Sequence, residues 1–486
     1  MRHTKILATL GPASARPELL DGLIEAGMDA VRLNFSHGSR DWHSKAVRMV
    51  REASARAGRS IAILEDLQGP KIRVGMVRGG EMELPEGSSL VITSRDVEGA
   101  DGLVSTEYKD LPRDVGRGER ILLDDGKISL VVEETRDDEV RCRVVAGGTL
   151  RSHKGINVPG AALRARALTE KDRADASFAL GLGVDFLALS FVRHARDVAE
   201  LRAVTKAEGR HVPIIAKIEK PQAIDNLEEI VASADGVMVA RGDLGVEVSL
   251  EMIPPFQKQI IRSANRAGKL VITATQMLES MTENPLPTRA EVTDVANAIL
   301  DGTDGVMLSG ETAVGKHPVE AVRQMAAIAQ TTEETIYPFG EPVCSTTSAL
   351  AVQEGYFTPA IARLAGHASR EVDPSAIVIF TRSGRTPRLL SYERPRAPVV
   401  AFTTEEAVYR RMALFWGVIP KRIQEMTSTA DFLAIGERQL LEDRLARRGD
   451  PIIFMIGATA SPAATNSIKI HRVGDLEREP KEDKGR

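Results

Sequence analysis

Short apolar runs alternate with amphipathic helical stretches along the N-terminal part of the chain. Apolar runs begin at residues 6, 30 and 61, and helical patterns end near residues 26 and 57. Strands of a parallel sheet are buried on both faces, so they are continuous apolar runs that helices connect. The pattern therefore predicts repeated strand–helix units and a parallel sheet.

The pattern changes at Gly69-Pro70, after which short strands and turns replace the strand–helix alternation. Residues 140–144 alternate apolar and charged side chains, as a half-buried strand does. Asp125-Gly126 stands between two apolar runs, which is a strong hairpin signal. We therefore predict an all-β insertion over residues 70–166.

The strand–helix alternation resumes at Thr169, which can cap a helix together with Asp172. Ser249 is a candidate cap for the helix that follows Asp243. Three strands before the insertion and five after it make eight, each followed by a helix, which is the pattern of a (β/α)8 TIM barrel. The five later strands are predicted at 186–190, 214–217, 237–240, 270–275 and 306–309.

A second α/β pattern follows a predicted linker at residues 338–342. Its strands are too few to close a barrel, so an open sheet is expected. The predicted fold class is α/β, with a TIM barrel at 1–69 and 167–338, the β insertion at 70–166, and a C-terminal open-sheet domain at 339–486. The C-terminal strands are predicted at 376–380, 399–403, 452–456 and 468–473.

Composition narrows the class of protein without indicating its chemistry. The 486 residues carry a formal net charge of −4, and the two cysteines, Cys142 and Cys344, have no metal-ligand spacing. Such a small net charge predicts neither a nucleic-acid nor a membrane partner. The chain has no apolar segment of membrane-spanning length and no signal-peptide pattern, so a cytoplasmic location is expected.

Polar residues stand at the C-terminal ends of the predicted barrel strands, where barrels of this class place their chemistry. Two adjacent strands end in Lys217 and Glu219 and in Asp243. Carboxylates, waters and a substrate phosphate are the usual ligands of Mg2+, although each carboxylate alone fits a helix start or a cap equally well. A buried lysine beside two carboxylates is unfavourable unless it is paired or used, so a functional trio is predicted. The other polar strand ends are Asn34, Ser36, Asp66, Ser190, Thr275, Ser309 and Glu311.

Several further residues are suited to binding an anion. Arg32, which has apolar neighbours, and Arg73 carry guanidinium groups that bind phosphate or carboxylate, although each alone fits a surface arginine. Thr275 offers a hydroxyl to a phosphate, a carboxylate or a water, although a threonine in a strand is more often only structural. The glycine-bracketed Gly242-Asp243 segment leads towards a helix, so its backbone N–H groups can contact an anion. The turn at 381–387 suits a phosphate group or is an ordinary polar turn.

Seven segments then stand in an order and at a spacing that resemble the pyruvate kinase family. They include VRLNFSHG at 31–38, MVARGDLG at 238–245 and ATQMLESM at 274–281, with the others at 8–14, 66–73, 215–220 and 287–310. The resemblance implies a barrel, a mobile β lid and a C-terminal effector domain. It also implies transfer of a phosphoryl group from phosphoenolpyruvate to ADP, giving pyruvate and ATP as the last step of glycolysis.

The resemblance assigns roles residue by residue. Lys217 corresponds to the ammonium group that stabilises the moving phosphoryl group, and Arg32 corresponds to a phosphate contact. Glu219 and Asp243 correspond to the ligands of Mg2+, for which Mn2+ can substitute. Gly242, Asp243 and Thr275 correspond to the carboxylate cradle, Thr275 and Ser309 to a proton relay, and Asn34, His37, Arg73 and Lys154 to nucleotide contacts.

One position departs from the family pattern. Potassium-dependent relatives usually carry glutamate where this chain has Lys71, and their ion lies where this chain has Asn34, Ser36 and Asp66. A lysine ammonium there can supply the positive charge itself. The departure predicts that K+ is not required.

The C-terminal domain resembles the effector region of the family at 381–387 and at 392–398. A phosphorylated allosteric effector is expected there, and a homotetramer is expected by family analogy. Two alternatives stay open, namely a Mg2+-dependent barrel lyase that acts on an enolate and a non-catalytic sensor of a phosphorylated metabolite. The predicted effector contacts are Thr381, Ser383, Gly384, Arg385 and Thr386.

Overall fold

The computed structural model describes residues 1–161, 163–335, 337, 357–424, 428–457 and 465–475. Their strands form a closed parallel barrel, a separate all-β part inserted after the third barrel strand, and a C-terminal sheet. The predicted fold class is confirmed. The predicted domain limits after residues 69, 166 and 338 stay predictions. The predicted linker at 338–342 and Cys344 lie outside the described residues.

The barrel closes because its first strand pairs in parallel with both the second and the last. Side chains alternate along each strand, so that Leu7 and Leu64 fill the interior while Ile6 and Ile63 pack against the surrounding helices. All eight predicted barrel strands are present. Their bounds are Lys5–Thr9, Ala30–Asn34, Ala62–Asp66, Phe186–Leu189, Ile214–Ile218, Gly236–Ala240, Leu270–Ala274 and Gly305–Leu308.

The helices around the barrel begin at capping signals that are partly visible in the sequence. Thr169 and Asp172 form the predicted capping box. The predicted cap at Ser249 is wrong, because Ser249 makes no capping hydrogen bond and a 3-10 turn, Leu250–Met252, precedes the helix. Two prolines in the first turn of that helix lack the N–H groups that a cap would bind. The helices of this part are Pro17–Ala26, Arg40–Ala57, Glu170–Leu182, Ala195–Ala207, Pro221–Asp225, Leu227–Ser233, Arg241–Glu247, Ile253–Arg266, Arg289–Leu300, Gly310–Ala313 and Pro318–Thr335, with a further 3-10 turn at Glu279–Thr282.

The inserted part has a hydrophobic core of its own, separate from that of the barrel. The predicted hairpin is present, with Leu123 opposite Ile128 and left-handed backbone at Asp124, Asp125 and Gly126. A six-stranded sheet and a two-stranded ribbon make up this lid. Its strands are Glu81–Leu84, Ser89–Thr93, Leu103–Ser105, Arg120–Leu123, Ile128–Thr135, Glu139–Ala146, Gly148–Arg151 and Ile156–Asn157, with short helical turns at Arg78–Gly80 and Leu111–Asp114.

The C-terminal sheet is open and has five strands, of which the last is antiparallel. Four were predicted, and Val418–Arg422 was missed because its apolar residues are interrupted by proline, lysine and arginine. No helix in the described ranges is long and apolar enough to cross a membrane. The strands are Ala376–Phe380, Val399–Thr403, Val418–Arg422, Pro451–Gly457 and Thr465–Arg472, and the helices are Thr358–Val372, Arg385–Ser391, Glu406–Arg411, Met412–Leu414 (3-10) and Thr429–Glu442.

The C-terminal domain packs against the N-terminal end of the barrel. Ala413 and Leu414 join the apolar cluster inside the barrel. Arg394 is fully buried, donates to the Gly302 carbonyl at 2.9 Å and lies 2.9 Å from Asp304. The assignment of the segment 392–398 to the effector region stays a prediction, and Arg394 of this segment lies in the interface. The opposite end of the barrel, where the polar strand ends meet, faces the lid.

Candidate active site

Lys217 lies at the C-terminal mouth of the barrel, near the end of the strand Ile214–Ile218. Its Nζ is 2.8 Å from Glu219 Oε1 and 3.3 Å from Asp66 Oδ1, and it donates a 2.8 Å hydrogen bond to the Ser190 hydroxyl. Burial alone would lower the pKa of this lysine, but the carboxylates of Asp66 and Glu219 raise the pKa of Lys217 above its usual value. Lys217 is therefore a fixed positive charge at neutral pH.

Arg32 and Asp66 form a second buried ion pair, on neighbouring strands. Arg32 Nε donates to Asp66 Oδ2 at 2.7 Å, and Arg32 Nη1 donates to the Thr9 hydroxyl at 3.2 Å. Burial raises the pKa of Asp66, but Lys217 and Arg32 outweigh it and leave that pKa below its usual value. Arg32 thus points into a polar pocket, as its apolar neighbours in the sequence predict. Its Nη2 donates no hydrogen bond to the described residues and is available to an anion.

Glu219 and Asp243 are carboxylates near enough for the charge of Asp243 to act on Glu219. Glu219 Oε2 accepts a 2.8 Å hydrogen bond from Phe191 N, while Oε1 is buried and contacts Lys217 without hydrogen-bond geometry. Burial and the neighbouring Asp243 carboxylate raise the pKa of Glu219. An incompletely satisfied carboxylate beside a second one fits Mg2+, which waters and a phosphate would coordinate further. Among the described residues no group of three or more His, Cys, Asp or Glu side chains could hold a metal ion by itself.

Thr275 stands just beyond the strand Leu270–Ala274 with a strained backbone. Its φ is 73°, a left-handed conformation that a β-branched residue rarely adopts. Arg241 holds this conformation by donating to the Thr275 carbonyl at 2.7 Å and to the Ala274 carbonyl at 3.2 Å, and its other arm pairs with Asp294 at 2.7 Å. Backbone strain that the surroundings maintain is typical of functional positions. The role of Arg241 was not foreseen from the sequence.

Glu311 joins the loops that follow the last two barrel strands. Its Oε1 accepts a hydrogen bond from Leu278 N at 3.0 Å, and its Oε2 accepts one from Ser309 N at 2.7 Å. Burial raises the pKa of Glu311. The sequence placed Glu311 at a strand end without a role, and the structure shows that it positions Ser309 relative to the preceding loop.

The predicted nucleotide contacts of the barrel are Asn34, at the end of its second strand, and His37, on the loop that follows. Asn34 Oδ1 accepts a 3.1 Å hydrogen bond from Ser36 N, and His37 is exposed. Partial burial lowers the pKa of His37, and the positive charges of Lys71, Arg73 and Arg32 lower it further. The loop therefore lies in a positive field, which suits the phosphates of a nucleotide.

The two predicted nucleotide contacts nearer the lid are held by lid residues. Arg73 Nη1 donates to the His153 carbonyl at 2.9 Å. Lys154 Nζ lies 2.8 Å from Asp124 Oδ1. Both cations are thus attached to the lid, and a movement of the lid would carry them relative to the barrel.

The structure does not pair Lys71 with Asp66. The cations beside Asp66 are Lys217 and Arg32, whereas Lys71 is exposed and lines the cavity between barrel and lid together with Asp125. Lys71 belongs to the chain segment that enters the lid, and its side chain lies near Gly155 of the lid. The predicted substitution of Lys71 for a monovalent ion is therefore not supported by a direct contact in this structure.

A cavity of about 850 Å3 opens beside these groups. Gly242, Asp243 and Thr275 line it from the barrel, and Lys71 and Asp125 line it from the side of the lid. Its size is within the range of small-molecule sites. Asp243, the strained Thr275 and Lys71 thus line one cavity.

Comparison with known proteins then places the chain. Residues 1–322 match the family model described as pyruvate kinase, barrel domain, and residues 359–471 match pyruvate kinase, alpha/beta domain. The chain belongs to the pyruvate kinase family. It is an enzyme that transfers the phosphoryl group of phosphoenolpyruvate to ADP and releases pyruvate.

Individual pyruvate kinases match nearly the whole chain. The enzyme of Geobacillus stearothermophilus is 45% identical over 98% of this chain and 81% of its own length. That of Mycobacterium tuberculosis is 46% identical over 98% and 99%. The crystal structure of a pyruvate kinase from Cryptosporidium parvum has a TM-score of 0.90 at 37% identity, covering 97% of this chain and 96% of that one. These matches decide against the barrel lyase and the non-catalytic sensor.

The predicted effector turn at 381–386 is organised by its own hydroxyl groups. Thr381 Oγ1 accepts a 2.9 Å hydrogen bond from Gly384 N, and the hydroxyls of Thr386 and Thr465 are 2.9 Å apart. Gly384 adopts a φ of 78°, which favours glycine. Effector binding by this turn stays a prediction for this pyruvate kinase homologue.

Proposed function

We propose that this enzyme requires Mg2+, held by Glu219 and Asp243, and that Lys217 neutralises the phosphoryl group during its transfer. The observation that carries the proposal is the buried ammonium of Lys217, 2.8 Å from Glu219 Oε1 and 3.3 Å from Asp66 Oδ1, near Asp243, which lines an 850 Å3 cavity. When bound, Mg2+ would supply further positive charge at the phosphoryl oxygens. Mn2+, an oxygen-binding cation as well, is a possible substitute.

The side chains around Lys217 fit the steps of the reaction. Arg32 Nη2 is available to a phosphoryl oxygen, and the backbone N–H groups of Gly242 and Asp243 suit the substrate carboxylate. Transfer of the phosphoryl group to ADP breaks the bond between phosphorus and the enol oxygen and leaves an enolate. The enolate becomes pyruvate by accepting a proton at its methylene carbon, and we assign the relay of that proton to the hydroxyls of Thr275 and Ser309.

The nucleotide is assigned to the positive loop and the lid. Asn34, His37, Arg73 and Lys154 can contact its phosphates and ribose, because they carry amide, imidazole and cationic groups in a positive field. Closure of the lid would exclude water and strengthen these contacts.

We further propose activity without potassium. The support is Lys71 in place of the usual family glutamate, together with Arg32 and Lys217 as the cations that already neutralise Asp66. The test is the rate with potassium and with a tetraalkylammonium salt at equal ionic strength. A rate that rises more than about tenfold with potassium would contradict this proposal. A tenfold change in rate corresponds to about 1.4 kcal/mol in activation free energy.

Regulation and assembly are assigned by family analogy. We propose a homotetramer in the cytoplasm whose activity responds to a phosphorylated metabolite bound at Thr381, Ser383, Gly384, Arg385 and Thr386. Hydroxyls, backbone N–H groups and an arginine after a strand suit a phosphate. Loss of the response in Arg385→Ala, with unchanged basal activity, is the expected result.

The catalytic proposal is tested by pyruvate formation from phosphoenolpyruvate and ADP, with Mg2+, with Mn2+ and with a chelator. We expect Lys217→Met to lose at least about 10³-fold in kcat, since it removes the fixed charge nearest the transfer. Lys5→Met is the matched control, because Lys5 is also a buried lysine on a barrel strand but lies at the opposite end of the barrel. Its Nζ donates to the Val418 carbonyl at 2.7 Å. Parental kcat in Lys217→Met, or activity in the chelator, would refute the assignment.

A further inference from the structure

Four residues form a compact cluster where the lid joins the barrel. They are Phe191, Lys220 and Glu247 of the barrel and Asn157 of the lid, and we call them the hinge cluster. None of them was predicted to take part in the site. Each contacts either a segment that enters the lid or a loop that bears a proposed Mg2+ ligand.

Glu247 is the centre of the hinge cluster. Its Oε1 accepts a 2.6 Å hydrogen bond from Lys220 Nζ and a 3.2 Å hydrogen bond from Asn157 Nδ2. Lys220 directly follows Glu219, and Glu247 is the last residue of the short helix that contains Asp243. One carboxylate oxygen therefore connects the two ligand-bearing loops to each other and to the lid.

Phe191 connects the same loops to the other segment that enters the lid. Its N–H donates to Glu219 Oε2 at 2.8 Å, and its ring lies 5.4 Å from Lys220 Nζ. The ring also packs against Gly69, where an added Cβ would come within 2.6 Å of Phe191 Cδ2. Phe191 adopts a φ of 56°, so the surrounding contacts hold it in a strained conformation.

The contacts of the hinge cluster are protected from water. The side chains of Lys220 and Glu247 are 11% and 2% exposed, so their ion pair is screened much less than a surface pair. If the loop that bears Glu219 moves and the ion pair stays intact, the loop that bears Asp243 must move as well. Asn157 shares the same oxygen atom and belongs to the last lid strand, Ile156–Asn157, so the displacement reaches the lid.

We infer that Lys220 and Glu247 are positioning residues that couple occupation of the Glu219 and Asp243 site to the position of the lid. The inference rests on the proposed Mg2+ site. With the cation and phosphoenolpyruvate bound, Glu219 and Asp243 would hold their two loops in one arrangement, and the hinge cluster would transmit that arrangement to both lid connections. The lid carries Lys154 and the segment that holds Arg73, so the position of the lid sets where the proposed nucleotide contacts lie.

The experiment compares Glu247→Gln, Lys220→Met and Asn157→Asp with the parent. The first variant preserves the shape of the side chain and removes its charge, while Asn157→Asp replaces the 3.2 Å hydrogen bond to Glu247 with repulsion between two carboxylates. Arg151→Gln is the control, since it breaks a lid ion pair with Glu81 that is exposed and remote from the hinge. The readouts are kcat and both KM values, and hydrogen exchange of residues 67–74 and 163–169 with and without phosphoenolpyruvate and Mg2+.

We expect each hinge variant to lose about tenfold or more in kcat/KM for ADP, the size of effect that groups supporting metal ligands produce. The protection from exchange that substrate and Mg2+ induce in the parent should be lost, while Arg151→Gln behaves as the parent. The inference is overturned if the hinge variants have parental kinetics or keep the protection from exchange that substrate and Mg2+ induce. It is also overturned if substrate and Mg2+ induce no protection in the parent. If Glu247→Gln does not fold, Asn157→Asp decides, because Asn157 lies on the partly exposed lid side.

The result also separates this inference from the proposed function. Parent activity in the presence of a chelator would refute the Mg2+ site itself. Parent activity that depends on Mg2+, combined with variants that keep parental kinetics and protection, would refute only the role of the hinge cluster.

Discussion

A Cβ atom on Gly242 would stand 2.6 Å from Thr275 Cγ2. The start of the helix Arg241–Glu247 therefore approaches the loop of the next strand so closely that only glycine fits. Thr275 cannot retreat freely, because Arg241 binds its carbonyl at 2.7 Å. Gly242 and Thr275 thus restrict each other's position. Gly242 bears a backbone N–H proposed to bind the substrate carboxylate, and Thr275 bears the hydroxyl proposed for the proton relay.

Gly242→Ala should lower kcat/KM for phosphoenolpyruvate by about 10²-fold, because a displacement of about 1 Å at reacting groups has an effect of that size. Steady-state kinetics measure it. Gly245→Ala is the matched control in the same helix, where the nearest atom to an added Cβ, Leu250 Cδ2, is 3.5 Å away. Equal losses in the two variants would show that the contact with Thr275 is unimportant.

Arg241→Lys should lower kcat by about tenfold while the fold is retained, since a lysine cannot bind two carbonyls and Asp294 in the same planar geometry. The expected cause is relaxation of Thr275 from its φ of 73°. Asp294→Asn, which loses only the 2.7 Å ion pair with Arg241, should have a smaller effect. A larger loss in Asp294→Asn would assign the effect to the ion pair instead of the carbonyl contacts.

Asp66→Asn should destabilise the protein by about 3–5 kcal/mol near pH 7, because it leaves Lys217 and Arg32 with one buried countercharge fewer. The folded pKa of Asp66 is below its unfolded value, so its stabilisation is present above the unfolded pKa and is lost as pH falls through the folded pKa. The difference between parent and variant should therefore shrink below about pH 4.

Unfolding in denaturant at several pH values tests this prediction. Asp21→Asn serves as the control, because Asp21 and Arg56 form an ion pair on the surface, 2.8 Å long and about half exposed. Ion pairs on the surface contribute little to stability, so the free energy of unfolding of this variant should match that of the parent at every pH. A parent–variant difference for Asp66 that is independent of pH would exclude the electrostatic explanation.

Arg394→Met should lower the stability of the interface between barrel and C-terminal domain by about 3–5 kcal/mol, since Asp304 then remains buried without its partner. Arg394 also lies 4.5 Å from the ring of Trp416, a contact that the substitution removes. The double variant with Asp304→Asn should recover part of the loss. Thermal unfolding of the four proteins forms a double-mutant cycle, and strict additivity would contradict direct coupling.

Much of the architecture was predictable because it depends on local periodicity. Continuous apolar runs and helical stretches identify all eight barrel strands, and Asp125-Gly126 identifies the hairpin of the lid. Val418–Arg422 was missed because a short strand interrupted by proline and charges has no clear period. The cap at Ser249 was wrong because prolines start the next helix without free N–H groups.

The sequence by itself determined which side chains stand at the C-terminal strand ends, since strand order and side-chain alternation follow from the chain. It also identified the family, because the motifs keep their order and spacing. Only the tertiary structure decided which partners these side chains have. The clamp of Arg241 on Thr275, the link of Glu311 to Leu278 and the hinge cluster all join residues on different loops. Such contacts depend on barrel closure and on side-chain direction, and no local pattern encodes either of them.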